Sequence, residues 1–231
     1  MNRPGNPVPV IAIDGPSGSG KGTIARRTAS ALGMHLLDSG ALYRLVGLAA
    51  SRREEPELGP DEIAQIAAHL PVRFATNDAG GEEIWLGDEE VSSELRTEDC
   101  GRMASRVAAI PAVREALLAL QKGFRKAPGL VADGRDMGTT VFPDAGLKVF
   151  LTASAEERAK RRYKQLNDKG IGVSLAALSR DIEDRDRRDS ERSIAPLRPA
   201  EDARLLDSSN LTIEEVTQII LGWARDLGLE S

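Results

Sequence analysis

Gly15-Pro16-Ser17-Gly18-Ser19-Gly20-Lys21-Gly22-Thr23 follows the apolar run Val8-Pro9-Val10-Ile11-Ala12-Ile13 and precedes a helical pattern. A buried strand, a glycine-rich turn and a helix, in that order, form an anion cradle. The glycines let backbone N–H groups approach a phosphate, and the helix N-terminus adds positive potential. Lys21 brings a full charge for the outer phosphates, so the stretch predicts a loop that holds a nucleoside triphosphate. The usual pattern places Ser or Thr directly after the lysine, where its hydroxyl reaches Mg²⁺. Here Gly22 stands in that place and Thr23 comes one residue later. Mg²⁺ is therefore expected to be held mostly through water and phosphate oxygens, with Thr23 on an inner phosphate. The loop specifies nucleotide binding and leaves the reaction open.

Outward from the loop, strand and helix signals alternate. The helix carries Ile24, Ala25, Ala29 and Leu32 on one side and ends near Gly33. Met34 to Leu37 reads as a strand that stops at Asp38-Ser39-Gly40, where a helix opens with Leu42, Leu45, Val46 and Ala49 inward. Tyr43 and Arg44 diverge on that helix surface. The pattern breaks at Arg52-Arg53-Glu54-Glu55-Pro56, and a helix from Pro60 to Leu70 follows. Residues 71–92 change to short alternating pieces split by Asn77-Asp78-Ala79-Gly80-Gly81 and Gly87-Asp88, which predicts a small antiparallel meander. Helices are expected over 96–109 and 111–126, strands at 130–132, 147–151 and 205–207, and helix starts at Ser174 and at the capping boxes Ser154-x-x-Glu157 and Thr212-x-x-Glu215. The whole predicts an α/β fold: a five-stranded parallel sheet flanked by helices, with functional loops at the strand carboxyl ends. Residues 1–7 are expected to be a loose tail.

Composition bounds the function. The 231 residues suit one α/β domain with an insertion. A net charge of −5 argues against nonspecific nucleic-acid binding. Cys100 is the only cysteine, and His35 and His69 are the only histidines, without ligand spacing. Disulfides, zinc chemistry and a Ser-His-Asp triad are thereby disfavoured. No apolar run reaches membrane-spanning length and no signal peptide is visible, so a soluble, cytoplasmic protein with no membrane partner is expected. What the strand ends and neighbouring helices do offer is arginine: Arg44, Arg114, Arg135, Arg158, Arg161, Arg162, Arg185, Arg188 and Arg192. Arg135 and Asp136 follow a buried strand directly, where a charged pair is costly unless used. Surplus positive charge is what phosphoryl transfer needs around its equatorial oxygens. With no cysteine or histidine nucleophile on offer, direct in-line transfer to a bound acceptor is expected.

The segments G-P-S-G-S-G-K-G-T, D-S-G-A-L-Y-R at 38–44, V-R-E-A-L-L at 113–118, A-D-G-R-D-M-G-T at 132–139 and R-D-R-R-D-S-E-R at 185–192 together resemble the bacterial cytidylate kinase family. The resemblance covers nearly the whole chain. It implies ATP-dependent phosphorylation of CMP and dCMP on the phosphate-loop nucleoside monophosphate kinase fold. The core would comprise 8–59 and 100–231, with a short helical lid about 158–190. The inserted monophosphate-binding domain would be 60–99, carrying the meander. Gly15 to Thr23 and Arg158 would bind ATP. Lys21, Arg135, Arg162 and Arg188 would act on the transferring group, with Arg158, Arg161 and Arg162 ahead of a lid tip at Asn167-Asp168-Lys169-Gly170. Ser39, Ser105, Arg114 and Asp136 would face cytosine, since a carboxylate accepts from its amino group and arginine donates to its acceptors. Arg44 and Arg135, with Tyr43 close by, would hold the monophosphate. Arg185 and Asp189 would hold the ribose, and Arg188 and Arg192 would reach the phosphoryl group or neutralise Asp189. Asp133 would orient Mg²⁺ through water or tie down Arg135. A monomer is expected. A kinase for another small acceptor is the nearest rival, and a switch or nucleic-acid motor lacks its expected N-K-x-D or strand-end D-E.

Overall fold

The computed structural model describes residues 8–53, 58–76, 82–168, 170 and 172–229. The expected tail at 1–7, Glu54 to Pro56 of the pattern break, the Asn77–Gly81 turn and Lys169 of the lid tip lie outside the described residues. The chain divides into two compact units, Met1–Asp38 with Gln121–Ser231, and Ser39–Leu120.

The first unit is built on β1 (Val10–Asp14), α1 (Lys21–Leu32), β2 (His35–Asp38), β6 (Leu130–Gly134), β7 (Leu147–Thr152), α7 (Ala155–Asn167), α8 (Leu175–Glu191), β8 (Arg204–Asp207) and α9 (Ile213–Asp226). Among the described residues its strands form one five-stranded sheet in the order β2-β6-β1-β7-β8, parallel throughout. β1 is central and buried along its whole length, which is why Val10 to Ile13 read as an unbroken apolar run rather than an alternating one. Register partners in a parallel sheet share a face. Ile11, Ile13, Val131, Leu147, Val149, Leu151 and Leu206 meet Ile24, Ala25, Ala29 and Leu32 of α1 and Val216, Ile220 and Ala224 of α9 in one core. Asp133, register partner of Ile13, shares this face. Asp14 pairs with Gly134 and Phe150 and so belongs to the opposite face.

The second unit contains α2 (Ser39–Ser51), α3 (Pro60–Ala68), β3 (Val72–Thr76), β4 (Glu82–Leu86), β5 (Glu89–Glu90), α4 (Ser92–Leu95), α5 (Glu98–Val107) and most of α6 (Pro111–Lys122). The expected meander is an antiparallel sheet, β3-β4-β5, with Val72 opposite Leu86 and Trp85 opposite Glu90. The Arg73 guanidinium lies 4.4 Å over the Trp85 ring, a cation–π contact. α2 is apolar on nearly every side, and Gly47 has no room for a Cβ against Met103 of α5, 2.9 Å away.

Four local expectations change. The helix expected over 96–109 is α5 alone, Glu98–Val107, because Thr97 accepts from Cys100 N at 3.2 Å and caps its start, and the short α4 precedes it unforeseen. Tyr43, expected on the helix surface, is buried, as the Leu42-Tyr43 face of α2 is apolar throughout. At Ser154 only half of the capping box forms. The Ser154 hydroxyl accepts from Glu157 N, but Ser209 Oγ takes Ser154 N at 3.0 Å and the Glu157 carboxylate accepts from Arg161 Nε at 3.1 Å. Thr212 and Glu215 complete theirs, at 2.8 and 3.2 Å. Finally, residues 137–141, for which the sequence offers no periodic signal, form a five-residue π turn.

Candidate active site

The glycine-rich loop leaves the carboxyl end of β1 and enters α1 through Gly20, whose φ of +89° is open to glycine at little cost. At Gly15 any Cβ would collide with the Leu151 carbonyl oxygen, so the loop must begin on glycine. The first N–H groups of α1 have no acceptor inside the helix, and their dipole favours an anion. Lys21 is buried, and its Nζ donates to the Pro16 carbonyl at 3.2 Å. Burial first, and then the Arg135 charge, push its pKa down, while Asp133, Asp38 and Asp189 pull it back up.

The glycine after the lysine now has a reason. A Cβ at Gly22 would stand 3.1 Å from Asp133 Oδ2. The carboxylate stands tightly against the point where a side chain at this position would begin. Asp133 Oδ1 is buried without a hydrogen-bond partner among the described residues. Burial raises the Asp133 pKa, with Lys21 opposing. Asp38, its register partner on β2, adds a second carboxylate beside it. A buried, unsatisfied carboxylate is costly unless it meets a cation or a donor. These residues fit a magnesium ion held through water. They do not form a direct cage, since no cluster of three or more metal-type ligands occurs among the described residues.

Around this centre the arginines divide. Arg135 Nε donates to Asp189 Oδ2 at 2.9 Å. Burial alone would raise the Asp189 pKa, but Arg135, then Arg192 and Lys21, hold it below the usual carboxylate range. Asp189 in turn keeps Arg135 firmly protonated against its burial. Asp133 also favours the charged form of Arg135, whose guanidinium is bonded to Asp189, and Asp189 is neutralised chiefly by Arg135. Arg185 is buried on α8, and Arg188 Nε and Arg192 Nε donate to the carbonyls of Asp184 and Asp189. Arg158 is buried against the loop itself. It donates to Ser17 O at 2.9 Å, Ala153 O at 3.0 Å and the Asp186 carboxylate at 2.5 and 3.1 Å. Arg161 binds Ser208 O at 2.5 Å, while Arg162 turns to Gln165 at 2.6 Å on its own helix.

On the other face of the sheet, Asp136 is buried where β6 gives way to the π turn. Its carbonyl accepts from Thr140 N and Val141 N. Asp14 accepts from Met137 N and Gly138 N, both at 2.8 Å. Burial nevertheless raises its pKa to about 6.

The second unit holds the remaining candidates. Arg114 is buried, with its guanidinium 5.6 Å from the Tyr43 ring centroid and Nη1 3.4 Å from Ala108 O. Arg44 Nη1 donates to Leu95 O at 2.5 Å, and Ser39 is buried at the first residue of α2. Ser105 is half-buried on α5.

Asp14, Asp38, Asp186 and Ser208 contact or adjoin these candidates without having been singled out in the sequence. For the first two the signal was present: each is a carboxylate closing an apolar strand. Asp186 and Ser208 gain meaning only through partners distant in the chain, Arg158 and Arg161.

The family model described as "Cytidylate kinase" matches residues 11–226. The chain is 58% identical over 215 residues to a cytidylate kinase of Pseudomonas paraeruginosa, covering 93% of this chain and 94% of that one. It is 57% identical over 216 residues to a cytidylate kinase of Cupriavidus necator (94% and 95%) and 55% over 217 residues to one of Nitrosococcus oceani (94% and 96%).

Proposed function

The chain belongs to the cytidylate kinase family, and from that premise we propose how its residues divide the work. The enzyme transfers the γ-phosphoryl group of ATP to CMP or dCMP, giving ADP and CDP or dCDP, by direct in-line displacement. The glycine-rich loop from Gly15 to Thr23 wraps the ATP phosphates. Lys21 lies against the β- and γ-phosphates, where incoming negative charge restores a proton affinity that burial lowers. Asp133, with Asp38 beside it, would hold Mg²⁺, which would supply positive charge to offset that of the phosphates. Arg135 orients the acceptor phosphate together with Arg44 and Tyr43. Arg188, Arg192 and Arg162 balance charge as the phosphoryl group moves, while Arg158 fixes the loop from behind through Ser17. Arg185 and Asp189 take the ribose. Ser39, Ser105, Arg114 and Asp136 read the cytosine edge. Residues 60–99 serve as the monophosphate-binding domain within a core of 8–59 and 100–231, and 158–190 as the lid that excludes water during transfer. The protein works as a cytoplasmic monomer without a nucleic-acid partner. Among the described residues no helix is long and apolar enough to cross a membrane.

The observation that carries this assignment is the charge gathered at the phosphate loop: buried Lys21 on the loop, buried Asp133 with Oδ2 against Gly22, and the Arg135–Asp189 ion pair at 2.9 Å. Base choice is tested at Asp136. Uracil carries a carbonyl where cytosine carries its amino group, so the carboxylate would lose its donor at about 1–3 kcal/mol. Asp136→Ala is expected to lower kcat/KM for CMP roughly 10- to 100-fold more than for UMP. Equal losses on both nucleotides would contradict the assignment.

A further inference from the structure

We propose that Asp14 is a positioning residue for base recognition: its carboxylate clamps the turn that carries Asp136 and so sets the preference for CMP over UMP. The proposal rests on the assignment of Asp136 to the cytosine amino group.

Asp14 directly precedes the phosphate loop in sequence, and proximity alone would assign it there. The pleat sends it the other way. Ile13 and its partner Asp133 face α1, and Asp133 Oδ2 closes on Gly22. Asp14, one residue on, points to the opposite face. There its oxygens accept from Met137 N and Gly138 N, both at 2.8 Å. These are the first two N–H groups of the π turn, the groups that a helical turn leaves without an acceptor of its own. Asp136 sits immediately before them at φ −146°, ψ 25°, so fixing the next two amides fixes the backbone from which its carboxylate projects.

A second contact closes the clamp. A Cβ at Gly138 would lie 3.1 and 3.2 Å from Cδ and Cγ of Lys148 and 3.4 Å from Asp14 Oδ2. The Lys148 stem thus packs flat on the turn while its Nζ bonds Asp202 Oδ1 at 2.9 Å. The turn is held between a carboxylate and a lysine stem, and a methyl group there would have to displace the stem by a few tenths of an ångström. An asparagine at 14 has one acceptor oxygen and would set an amide N–H₂ against the second backbone N–H. Only a carboxylate serves both.

The test measures kcat and KM for CMP, UMP and ATP in Asp14→Asn, Gly138→Ala and Asp136→Ala. Gly138→Ala disturbs the turn while leaving the Asp14 charge intact, and it decides the matter alone if Asp14→Asn does not fold. Both are expected to lower the CMP-over-UMP ratio of kcat/KM about tenfold, mainly through KM for CMP, with KM for ATP moving less than about twofold. A residue that merely supported the fold, or the phosphate loop, would lower kcat/KM for CMP and for UMP together, leaving their ratio unchanged, or raise KM for ATP. The proposal is overturned if Asp14→Asn and Gly138→Ala leave the ratio intact while Asp136→Ala collapses it. If Asp136→Ala leaves it intact as well, the base-reading assignment fails and the role of Asp14 falls with it.

Discussion

Asp133 and Asp14 close neighbouring strands of one sheet, and both are buried, yet their surroundings differ. Asp133 faces the phosphate-loop helix with one oxygen unsatisfied. Asp14 faces the opposite side and bonds two backbone amides. The first is a charge kept ready for something that must arrive. The second is a charge spent on holding a loop in place. A single residue of register separates the two tasks, because successive strand residues point to opposite faces.

The largest expected difference lies in stability against pH. The Asp14 pKa rises on folding from 3.8 to about 6. A carboxyl whose pKa is raised on folding contributes stability that is complete below its unfolded value and lost as pH climbs through the folded one. From pH 4 to pH 7 the chain therefore loses roughly 2 kcal/mol at this residue. Asp14→Asn has no such titration, so chemical unfolding should show the variant gaining on the parent by that amount across the same interval. A difference independent of pH would mean that Asp14 is not buried as an acid. A smaller effect is expected on the other face. Asp133→Asn should lower kcat about tenfold and raise the Mg²⁺ concentration needed for half-maximal rate, while leaving the CMP-over-UMP ratio alone. A change in that ratio with no change in Mg²⁺ demand would erase the distinction between the two carboxylates.

Much of this architecture was legible in the residues. The apolar run into Gly15, the strand at 130–132 and the turn residues at 87–88 led to the parallel sheet and the meander, because burial on both faces and turn chemistry leave local marks. The phosphate loop was equally plain. The absence of a hydroxyl at Gly22 could be noticed, but the carboxylate beside it could not, since Asp133 lies more than a hundred residues away in the chain. The π turn at 137–141 has no periodic pattern and depends on Asp14 and Lys148 for its shape. Tyr43 looked like a surface residue for a similar reason: adjacency on a helix suggests divergence, whereas α2 is enclosed on nearly every side. Arg158 reads in sequence as one more lid cation, and only the fold places it on Ser17 and Asp186.

Direct transfer between two nucleotides is reached most directly by a coupled ADP-release assay. With ATP and Mg²⁺ present, CMP and dCMP should each release ADP at stoichiometry with a new diphosphate, UMP more weakly, and AMP and shikimate scarcely at all. ADP release that is indifferent to CMP, or is driven equally well by shikimate, would contradict the account.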